Sequence, residues 1–421
     1  MTDTPEPPRF AGWAERPARG TGAGRPGTGR PGAPRPRRSG GRRWVVFGTA
    51  GVLLAASGLG WVLYAGLNGN IRIDSAIERE LRKWESERPP GGPPNAENLL
   101  LIGSDSREGG NRRYGSVGGR RADTTMLLHL AADRRSATAV SIPRDLMVRV
   151  PRCERSDGQQ TEPQTAQFNW SFAFGGAACS IRTVEQMTAV RIDHYLIIDF
   201  VGFTKMVDAV GGVEVCLPRA VRDDAARLRL AAGRQTLNGE DALAYVRARE
   251  GLGDGSDTQR MERQQRFLGA LVKRVQSNGV LLNPARLYPV LDAATSSLTT
   301  DPGLASLRGL YELVRSTRRI PSDRVQFLTV PRREYRYDPN RDELVQPDAD
   351  RLFGQLRGDL PVTVEPGRDT GAEPSRRGGR SAGGVPSAGG VSRGTPEAPS
   401  PPPASSGPTF PGTTAERGIC E

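Results

Sequence analysis

An uncharged apolar run near the N-terminus limits what this chain can fold into. Residues 44–67 are 24 residues without a charged side chain. A helix rises about 1.5 Å per residue, so a run of this length covers the roughly 30 Å hydrocarbon core of a bilayer. Trp44 lies at one end, and Trp61 with Tyr64 near the other, as in the aromatic belts of membrane helices. The run therefore predicts a transmembrane helix.

The residues before this run predict its orientation. A cleaved signal peptide is the alternative interpretation, but its apolar region is about 7–15 residues long and ends at a small-residue cleavage site. Arg37, Arg38, Arg42 and Arg43 precede the run. By the positive-inside rule, they keep the N-terminus cytoplasmic. We therefore expect a single-pass protein of the cell membrane, with residues 68–421 outside the cell.

Composition divides the rest of the chain. Residues 1–43 hold ten arginines and three acidic residues, hence a net charge of +7, and few residues that could form a core. They predict a disordered basic cytoplasmic tail. A nucleic-acid-binding arm is one interpretation of such a tail, but beside a membrane span the expected partner is anionic lipid, and no nucleic acid is expected.

The region after the span is predicted to contain one folded domain. Residues 68–94 are expected to form an extracellular stalk and hinge, with an amphipathic helix at 71–88 that ends at a Pro/Gly-rich segment. The folded domain is predicted at 95–365. Residues 366–421 are rich in Gly, Pro and Ser and are predicted to be a disordered tail.

Some classes of site are not supported by the sequence. The chain has four cysteines without a CxxC pair and only two histidines, His129 and His194. This composition argues against a zinc site or a Cys/His nucleophile. No GxxxxGK[ST] motif and no GxGxxG motif after a strand occurs, so the common nucleotide-binding folds gain no support.

Three short apolar runs between Asn98 and Asp145 predict buried strands with charged residues at their ends. These charged residues are Asp105 and Arg107 after the first run, Arg121 and Asp123 before the second, and Arg144 after the third. Two carboxylates with several arginines at one sheet edge suit a divalent metal and a phosphate group. The alternative is a set of ordinary surface ion pairs, which are common.

A second basic cluster follows at 245–265. If residues 245–249 are extended, Arg247 and Arg249 share one face and can clamp one anion. Arg260 and Gln264 then fall on the first turns of a helix, whose N-terminus adds backbone N–H donors. The alternative is a solvated basic helix start. Together with the first cluster, the site is expected to be too basic to be stable without a bound anion such as pyrophosphate.

The residues alone also predict a fold class and a disulfide. Strand and helix patterns are mixed throughout 95–365, which predicts an α/β fold with a three-layer α/β/α core. A disulfide is chemically allowed outside the membrane, and Cys153 with Cys179 is the favoured pair; two buried thiols are the alternative. The pairing of Cys216 and Cys420 stays open.

The motifs also resemble a family, the LytR-CpsA-Psr proteins of Gram-positive and actinobacterial envelopes. The resemblance covers about 98–271. It rests on the following motifs in this order: Leu-Leu-Ile-Gly103-Ser-Asp105-Ser-Arg107, Arg121-Ala-Asp123-Thr, Ser141-Ile-Pro-Arg144-Asp145, Phe168-Asn169 before Gly175-Gly176, Ile192-Asp-His-Tyr195, Val207-Asp-Ala-Val-Gly-Gly-Val213, Leu237 to Arg249, and Gly255-Ser-Asp257. Each motif alone is weak, but all of them behind one membrane span form a strong match.

The resemblance implies the family's fold, with a central mixed sheet, and its activity. The family transfers a glycan 1-phosphate from a polyisoprenyl pyrophosphate onto peptidoglycan, usually a muramic acid 6-hydroxyl. The matching positions would be Asp105 and Asp123 for Mg²⁺ (or Mn²⁺), and Arg107, Arg121, Arg144, Arg247, Arg249 and Arg260 with Gln264 for the pyrophosphate. Asp123 or Asp257 could accept the acceptor's proton.

The resemblance further implies an apolar lipid tunnel between sheet and helices. The candidates for its lining are Phe168, Phe172, Phe174, Phe200, Phe203 and Val207, and the alternative for each is plain core. Many relatives have a lysine where this chain has Gln167, which is expected to weaken phosphate binding. The alternative functions are a polyisoprenyl-pyrophosphate hydrolase and a non-enzymatic envelope regulator or lipid-binding protein.

Overall fold

One mixed sheet of nine strands organises the structure, a computed structural model that describes residues 40–104, 122–248, 257–276, 284–366 and 408–416. The strands are β1 (Arg72–Ile73), β2 (Glu97–Ser104), β3 (Ala122–Leu130), β4 (Ala137–Ile142), β5 (Met147–Val150), β6 (Gln164–Gln167), β7 (His194–Asp199), β8 (Val213–Leu217), β9 (Val221–Asp223), β10 (Leu228–Leu230), β11 (Gly233–Leu237), β12 (Leu298–Thr300), β13 (Val325–Thr329), β14 (Arg332–Tyr335), β15 (Asp338–Leu344), β16 (Thr363–Pro366) and β17 (Thr409–Thr414). The sheet order is β1-β12-β7-β2-β3-β4-β13-β17-β16. The other strands form four two-stranded antiparallel sheets, β5–β6, β8–β11, β9–β10 and β14–β15.

The helices of the described residues are α1 (Gly40–Asn70), α2 (Ser75–Lys83), α3 (Phe168–Thr188), α4 (Phe200–Ala209), α5 (Gly239–Arg247), α6 (Asp257–Gln276), α7 (Pro284–Ser297), α8 (Leu307–Thr317) and α9 (Asp348–Arg357). Several of those after α1 cover the two faces of this sheet. Helices α2, α3 and α9 contribute to the core on one face, and α8 with parts of α4, α6 and α7 to the core on the other. This arrangement confirms the predicted α/β fold, with three layers and a central mixed sheet.

The apolar run of β2 is explained by its position between two cores. Leu99 contributes to the core on one face and Leu100 to the core on the other, and both are fully buried. Side chains of neighbouring strand residues point to opposite faces, so a strand covered on both sides needs apolar residues in succession. The continuous run Leu99-Leu-Leu-Ile102 therefore marks a central strand.

The predicted stalk is part of the folded domain. A helix was expected at 71–88, and α2 confirms it, beginning after Asp74, whose carboxylate accepts a hydrogen bond from the backbone N–H of Ala76. Ile77 and Leu81, one turn apart on this helix, are buried in the same core as α3. Strand β1 pairs with β12 at the sheet edge. The domain boundary predicted at residue 95 is therefore too late.

The prediction of a disordered tail over 366–421 is wrong for its last described segment. Strand β17 lies inside the sheet, antiparallel to β13 and parallel to β16. Phe410 is 4% exposed and reaches the core. The composition of the surrounding Pro/Ser-rich sequence concealed a short strand whose stability comes from tertiary pairing.

Helix α1 contains the segment predicted to cross a membrane. Among the described residues, Phe47–Asn70 is long and apolar enough for a span, with a mean hydropathy of 1.7. It overlaps the predicted range 44–67 and supports a single-pass membrane anchor. The chain divides within this helix, and Leu59 is the first residue of the unit that contains the sheet.

Each of the two histidines lies beside an aspartate, but their pKa values are shifted in opposite directions. His129 Nδ1 lies 2.8 Å from Asn98 Oδ1, and its Nε2 lies 3.0 Å from Asp359 Oδ1. Burial lowers the pKa of His129 below 6.5, despite the opposing charge of Asp359. Burial also acts to lower the pKa of His194, but the hydrogen bond and charge of Asp301, at 3.0 Å, outweigh it, and the pKa is raised.

These shifts predict opposite pH dependences. The stability contributed by His194 is fully present below pH 6.5 and is lost as pH rises through its raised pKa, whereas protonation of the unfolded chain at His129 lowers stability as pH falls below 6.5. Because the chain has only two histidines, histidine-selective NMR titration resolves both. We expect His194 to titrate above 6.5 and His129 below it. Equal pKa values for the two histidines would contradict the opposite shifts.

A substitution at Gly412 tests whether β17 pairs with β13 in the sheet. A Cβ at this position would lie 2.4 Å from the carbonyl oxygen of Phe327, so the variant Gly412→Ala forces β17 away from β13. We expect it to lower the free energy of unfolding by about 1–3 kcal/mol, as overpacking does. The control is Gly354→Ala in α9, where the nearest atom is an arginine nitrogen at 3.7 Å. Thermal denaturation should leave this control unchanged or more stable; an unchanged Tm for Gly412→Ala would show that β17 is not in the sheet.

Candidate functional site

Strand direction brings the charged residues to one edge of the sheet. Strand β7 is parallel to β2, and β13 to β4, while β3 is antiparallel to both β2 and β4. The carboxyl ends of β2, β4, β7 and β13 therefore meet where β3 begins. Ser104, at the end of β2, pairs with Ala122 of β3 and with Asp199 of β7. Asp105, Arg107, Arg121 and Arg249 lie outside the described residues.

Arg144 is at the centre of this edge. It follows β4 and Pro143, and its guanidinium lies among three carboxylates. Its Nη1 is 3.6 Å from Asp123 Oδ1, and its Nε is 3.2 Å from Asp145 Oδ2 and 3.8 Å from Asp257 Oδ1. These contacts bring together two of the predicted site residues, Asp123 and Arg144, from adjacent strands.

The start of α6 adds the second cationic side chain. Arg260, one turn into the helix, pairs with Asp257 Oδ1. The other oxygen, Asp257 Oδ2, is buried and has no hydrogen-bond partner among the described residues. With Arg144 also beside it, Asp257 is held as a counter-ion of two arginines. Asp123, whose side chain is 36% exposed, is the more accessible carboxylate of the two candidate bases.

Arg247 and Gln264 lie near the same edge in a different arrangement from the predicted one. Residues 245–247 form the last turn of α5 and are not extended, because the helix begins with a strong cap in which Asn238 accepts from the N–H of Asp241. The Arg247 guanidinium lies 4.5 Å from the centre of the Phe200 ring. Gln264 Nε2 donates to Val246 O at 3.1 Å. This bond and a contact of 3.4 Å between Thr124 Oγ1 and Gln264 Oε1 connect α6 to α5 and β3.

A repeated motif supplies residues that the sequence analysis missed. Ser141-Ile-Pro-Arg144 follows the same pattern as Thr329-Val-Pro-Arg332. The two segments run side by side, with Ser141 opposite Thr329. Buried Gln265 joins them, since its Nε2 donates to Ser141 Oγ at 2.9 Å and to Thr329 Oγ1 at 3.1 Å. The repetition of the motif at the ends of two predicted strands was the signal that could have found Arg332.

Arg332 connects the β14–β15 hairpin to the site. Its guanidinium pairs with Asp342 and contacts Thr258, the residue after Asp257. Burial raises the pKa of the Asp342 carboxyl, Arg332 opposes the shift, and the charges of Asp257 and Asp145 add to it. The hairpin thereby holds the start of α6 against the sheet edge.

Gln167 has a structural role in this arrangement. With its amide oriented to satisfy both neighbours, it donates to Asp145 Oδ1 at 3.0 Å and accepts from Arg341 Nε and Nη2 at 2.9 Å. Arg341 Nη1 also lies 3.8 Å from Asp145 Oδ1. Gln167 therefore bridges Asp145 and Arg341 beside Arg144. Neither the charge pattern nor the periodicity of the sequence indicated this bridging role.

The described part of the site is less basic than predicted. Arg144 and Arg260 are balanced by Asp123, Asp145 and Asp257 at the distances given above. Carboxylate oxygens are suitable ligands for Mg²⁺ or Mn²⁺, and Asp123 offers them, but no group of three acidic, histidine or cysteine side chains within the described ranges is close enough to hold a metal. Metal binding at Asp123 and Asp105 stays a prediction.

A cavity of about 1030 Å³ begins beside this edge. Its lining includes Ser104 and Asp199 at the sheet edge and extends along α2 and α3. Of the six predicted tunnel residues, Phe172 and Phe174 line it. Charged side chains of α2, among them Arg79 and Lys83, also contribute, so the lining is more polar than expected.

The other four tunnel candidates are core residues. Phe168 is fully buried against the sheet, where α3 begins. Phe203 and Val207 pack in a third core between α4, α5 and α6, with the Phe203 ring 5.7 Å from that of Phe267. Phe200 is also buried, and the Arg247 guanidinium lies over its ring. Helical spacing predicted that these side chains share a face, but it could not distinguish a face against another helix from one against a cavity.

The cavity wall depends on a kink in α3 next to the predicted disulfide. Cys153 and Cys179 form this disulfide, with their Cα atoms 5.5 Å apart, and the prediction is confirmed. Cys216 is also disulfide-bonded, and Cys420 lies outside the described residues. Gly175 and Gly176 leave the helical conformation, and a Cβ at Gly175 would lie 2.8 Å from Glu154 O and 3.0 Å from both cysteine Cβ atoms.

Comparison with known proteins identifies the family. The sequence model of the LytR_cpsA_psr family matches residues 70–357 of the 421. The chain belongs to the LytR_cpsA_psr family. The match begins before β1, in agreement with the packing of the predicted stalk into the domain, and extends past the β14–β15 hairpin.

Two curated relatives are cell wall biosynthesis proteins by name. LcpA of Corynebacterium glutamicum, a "cell wall biosynthesis protein", is 32% identical over 312 residues, which are 66% of this chain and 58% of the relative. LcpB of the same organism, named a probable cell wall biosynthesis protein, is 39% identical over 214 residues, 49% of this chain and 48% of the relative. The chain thus spans about half the length of these LytR_cpsA_psr relatives.

A third relative and two solved structures extend the comparison. A polyisoprenyl-teichoic acid–peptidoglycan teichoic acid transferase, TagU of Enterococcus faecalis, is 31% identical over 264 residues, 61% of this chain and 78% of the relative. The structure of a LytR-Csp2A-Psr enzyme from Actinomyces oris superposes with a TM-score of 0.51 at 23% identity, covering 64% of this chain and 93% of that one. B. subtilis TagV superposes with a TM-score of 0.51 at 24% identity, covering 64% and 98%. These superpositions support the fold.

The bridge between the two repeated motifs is tested at Gln265. The variant Gln265→Leu removes both hydrogen bonds and leaves a buried hydroxyl group, that of Ser141, and a partly buried one, that of Thr329, without this donor. We expect a loss of about 1–3 kcal/mol in the free energy of unfolding, measured by chemical denaturation. Gln186→Leu, at an exposed position on α3, is the control and should change stability little. Equal stability of the two variants would contradict a role for the bridge.

Proposed function

We propose that this chain is a membrane-anchored extracellular phosphotransferase. It would move a glycopolymer 1-phosphate from a polyisoprenyl-pyrophosphate carrier onto a peptidoglycan hydroxyl, the C6 hydroxyl of muramic acid. The single observation that carries the proposal is the cluster of arginines and carboxylates at the sheet edge, beside a cavity of about 1030 Å³ that Ser104 and Asp199 join to that edge. Membership of the family and the name of the transferase relative support it.

The charges of the cluster fit a phosphoryl transfer. In this reaction the acceptor oxygen forms a bond to the phosphorus that carries the glycan, and the bond from this phosphorus to the bridging oxygen breaks. The electron pair leaves with the polyprenyl phosphate, so negative charge grows on the departing group. Arg144 and Arg260 are positioned to neutralise this charge, since both guanidinium groups converge on Asp257.

The carboxylates of the cluster have separate tasks in this proposal. Asp123 accepts the proton of the attacking hydroxyl, because it is the more exposed acid and contacts only the outer end of Arg144 among the described ion pairs. Asp257 and Asp145 orient Arg144 and Arg260 before substrate binds. Asp123 would have two tasks, because a divalent cation, Mg²⁺ or Mn²⁺, held by Asp105 and by one oxygen of Asp123 would add positive charge at the pyrophosphate while the other oxygen takes the proton.

The cavity and the anchor suit a lipid-linked donor. The apolar rings of Phe172 and Phe174 in the cavity wall offer contacts for a polyprenyl chain whose head group lies at the sheet edge. The candidate membrane helix would keep the enzyme beside the membrane that contains such a lipid. Arginines before the span favour an extracellular domain, where peptidoglycan is present.

The proposal is tested with the full-length protein in detergent, a polyprenyl-pyrophosphate-linked saccharide and peptidoglycan fragments. We expect a phosphodiester product, and a fall in kcat/KM of about 10²-fold or more for Asp123→Asn and Arg144→Gln, as when a charged transition-state contact is removed. The control Arg229→Gln changes an arginine whose side chain is 73% exposed and should retain activity.

Two outcomes would overturn this assignment. Release of polyprenyl phosphate and a free sugar phosphate in the presence of acceptor, without phosphodiester, would show a hydrolase. Full activity of Asp123→Asn and Arg144→Gln would remove the sheet edge from the chemistry. Mass spectrometry of the products distinguishes the two, and thermal denaturation of each variant excludes a loss of fold.

A further inference from the structure

The C-terminal end of the candidate membrane helix is fastened to two helices of the domain. Leu67 is buried at 4% exposure within the unit that begins at Leu59. Asn68 Oδ1 accepts a hydrogen bond of 3.0 Å from the N–H of Leu307, the first residue of α8. Asn70 Nδ2 donates to Asp292 Oδ1 of α7 at 3.1 Å. The end of the apolar segment is therefore hydrogen-bonded to the first residue of α8 and to the middle of α7.

Helix α8 has one broad apolar face, of which one part is packed and one edge is exposed. Leu310 and Leu313 pack on the core beneath the sheet. At the exposed edge of this face, Tyr311 is 59% and Val314 42% exposed, and the two side chains are neighbours three residues apart. On α7, Tyr288 is 42% exposed and lies one turn before Asp292. The exposed edge of α8 can therefore make an apolar contact outside the domain.

The exposed side of α8 next to Tyr311 is basic. Four exposed arginines lie on or directly after α8: Arg308, Arg315, Arg318 and Arg319. Its exposed acid Glu312 pairs with Arg308 at 2.8 Å. An exposed tyrosine between arginines on an amphipathic helix is typical of segments that lie in a membrane interface, where the ring enters the head-group region and the guanidinium groups meet lipid phosphates.

We infer that α8, with the turn of α7 around Tyr288, lies on the outer leaflet of the membrane and binds anionic lipid head groups. The domain would then contact the bilayer at a second place besides its anchor. The inference rests on the proposed membrane span. If Tyr64 marks the interface, Asn68 lies only four residues further, about 6 Å along the helix axis. A helix whose first N–H is bonded to Asn68 is therefore at the level of the head groups.

This seating has a consequence for the proposed donor. A domain that rests on the bilayer along α8 cannot rotate freely about its anchor, so the entrance of the cavity keeps a fixed height above the membrane. A lipid-linked substrate could then pass into the cavity without leaving the membrane interface. The lipid contact is independent of the chemistry at Arg144, and it can fail while the transferase activity is retained.

The experiment uses the full-length protein in nanodiscs of phosphatidylcholine with phosphatidylglycerol, and of phosphatidylcholine alone. A nitroxide label is attached at Val314→Cys on α8 or at Arg351→Cys on α9, which packs on the opposite face of the sheet. We expect the label at 314 to collide more often with oxygen than with a water-soluble nickel chelate, and the label at 351 to show the reverse. A third label, at Leu54→Cys, reports on the span itself.

Charge reversal tests the part played by lipid charge. Arg315→Glu with Arg318→Glu should raise the nickel accessibility of the label at 314 several-fold in the anionic nanodiscs. Arg229→Glu with Arg234→Glu, at exposed arginines of the small two-stranded sheets, should not. Equal accessibility of labels 314 and 351 in both lipids would overturn the lipid contact. Nickel access at 54 would instead overturn the membrane span and, with it, the anchoring in the proposed function.

Discussion

Neutralisation of Arg144 is the constraint around which the candidate site is organised. Its guanidinium is half-buried at the edge of the sheet and is held by Asp145 at 3.2 Å, Asp123 at 3.6 Å and Asp257 at 3.8 Å. These acids come from three segments, so the cluster forms only when β3, β4 and α6 are correctly packed. A phosphate that entered this cluster would compete with the carboxylates for the same guanidinium donors.

Strand direction explains why the cluster lies at this edge and not elsewhere. Four strands end there and β3 begins there, so the residues that leave the sheet are brought together from distant parts of the sequence. The edge is then closed from outside by the β14–β15 hairpin, through Arg332 and Asp342, and by the bridge of Gln167 between Asp145 and Arg341. The same edge opens into the cavity at Ser104.

Local patterns predicted the centre of this structure well. The apolar runs of β2, β3 and β4 could be predicted from sequence, because strands covered on two faces need continuous apolar residues. The approach of Asp123 to Arg144 at the sheet edge and the Cys153–Cys179 disulfide were also predicted. The packing of α2 and the insertion of β17 could not, since both depend on partners far away in the sequence. The position of Arg332 beside Arg144 depends on the pairing of β13 with β4, which neither motif shows alone. Helical spacing does not identify the partner surface, so it could not show that Phe203 and Val207 pack in a core between helices.

A density map of the full-length protein with a non-cleavable polyprenyl-diphosphate analogue and Mn²⁺ tests the central claim most directly. The diphosphate should lie within hydrogen-bonding distance of Arg144 and Arg260, with the manganese anomalous peak at Asp123 and the polyprenyl chain beside Phe172 in the cavity. A diphosphate bound away from the sheet edge, or a lipid chain outside the cavity beside α3, would contradict the account.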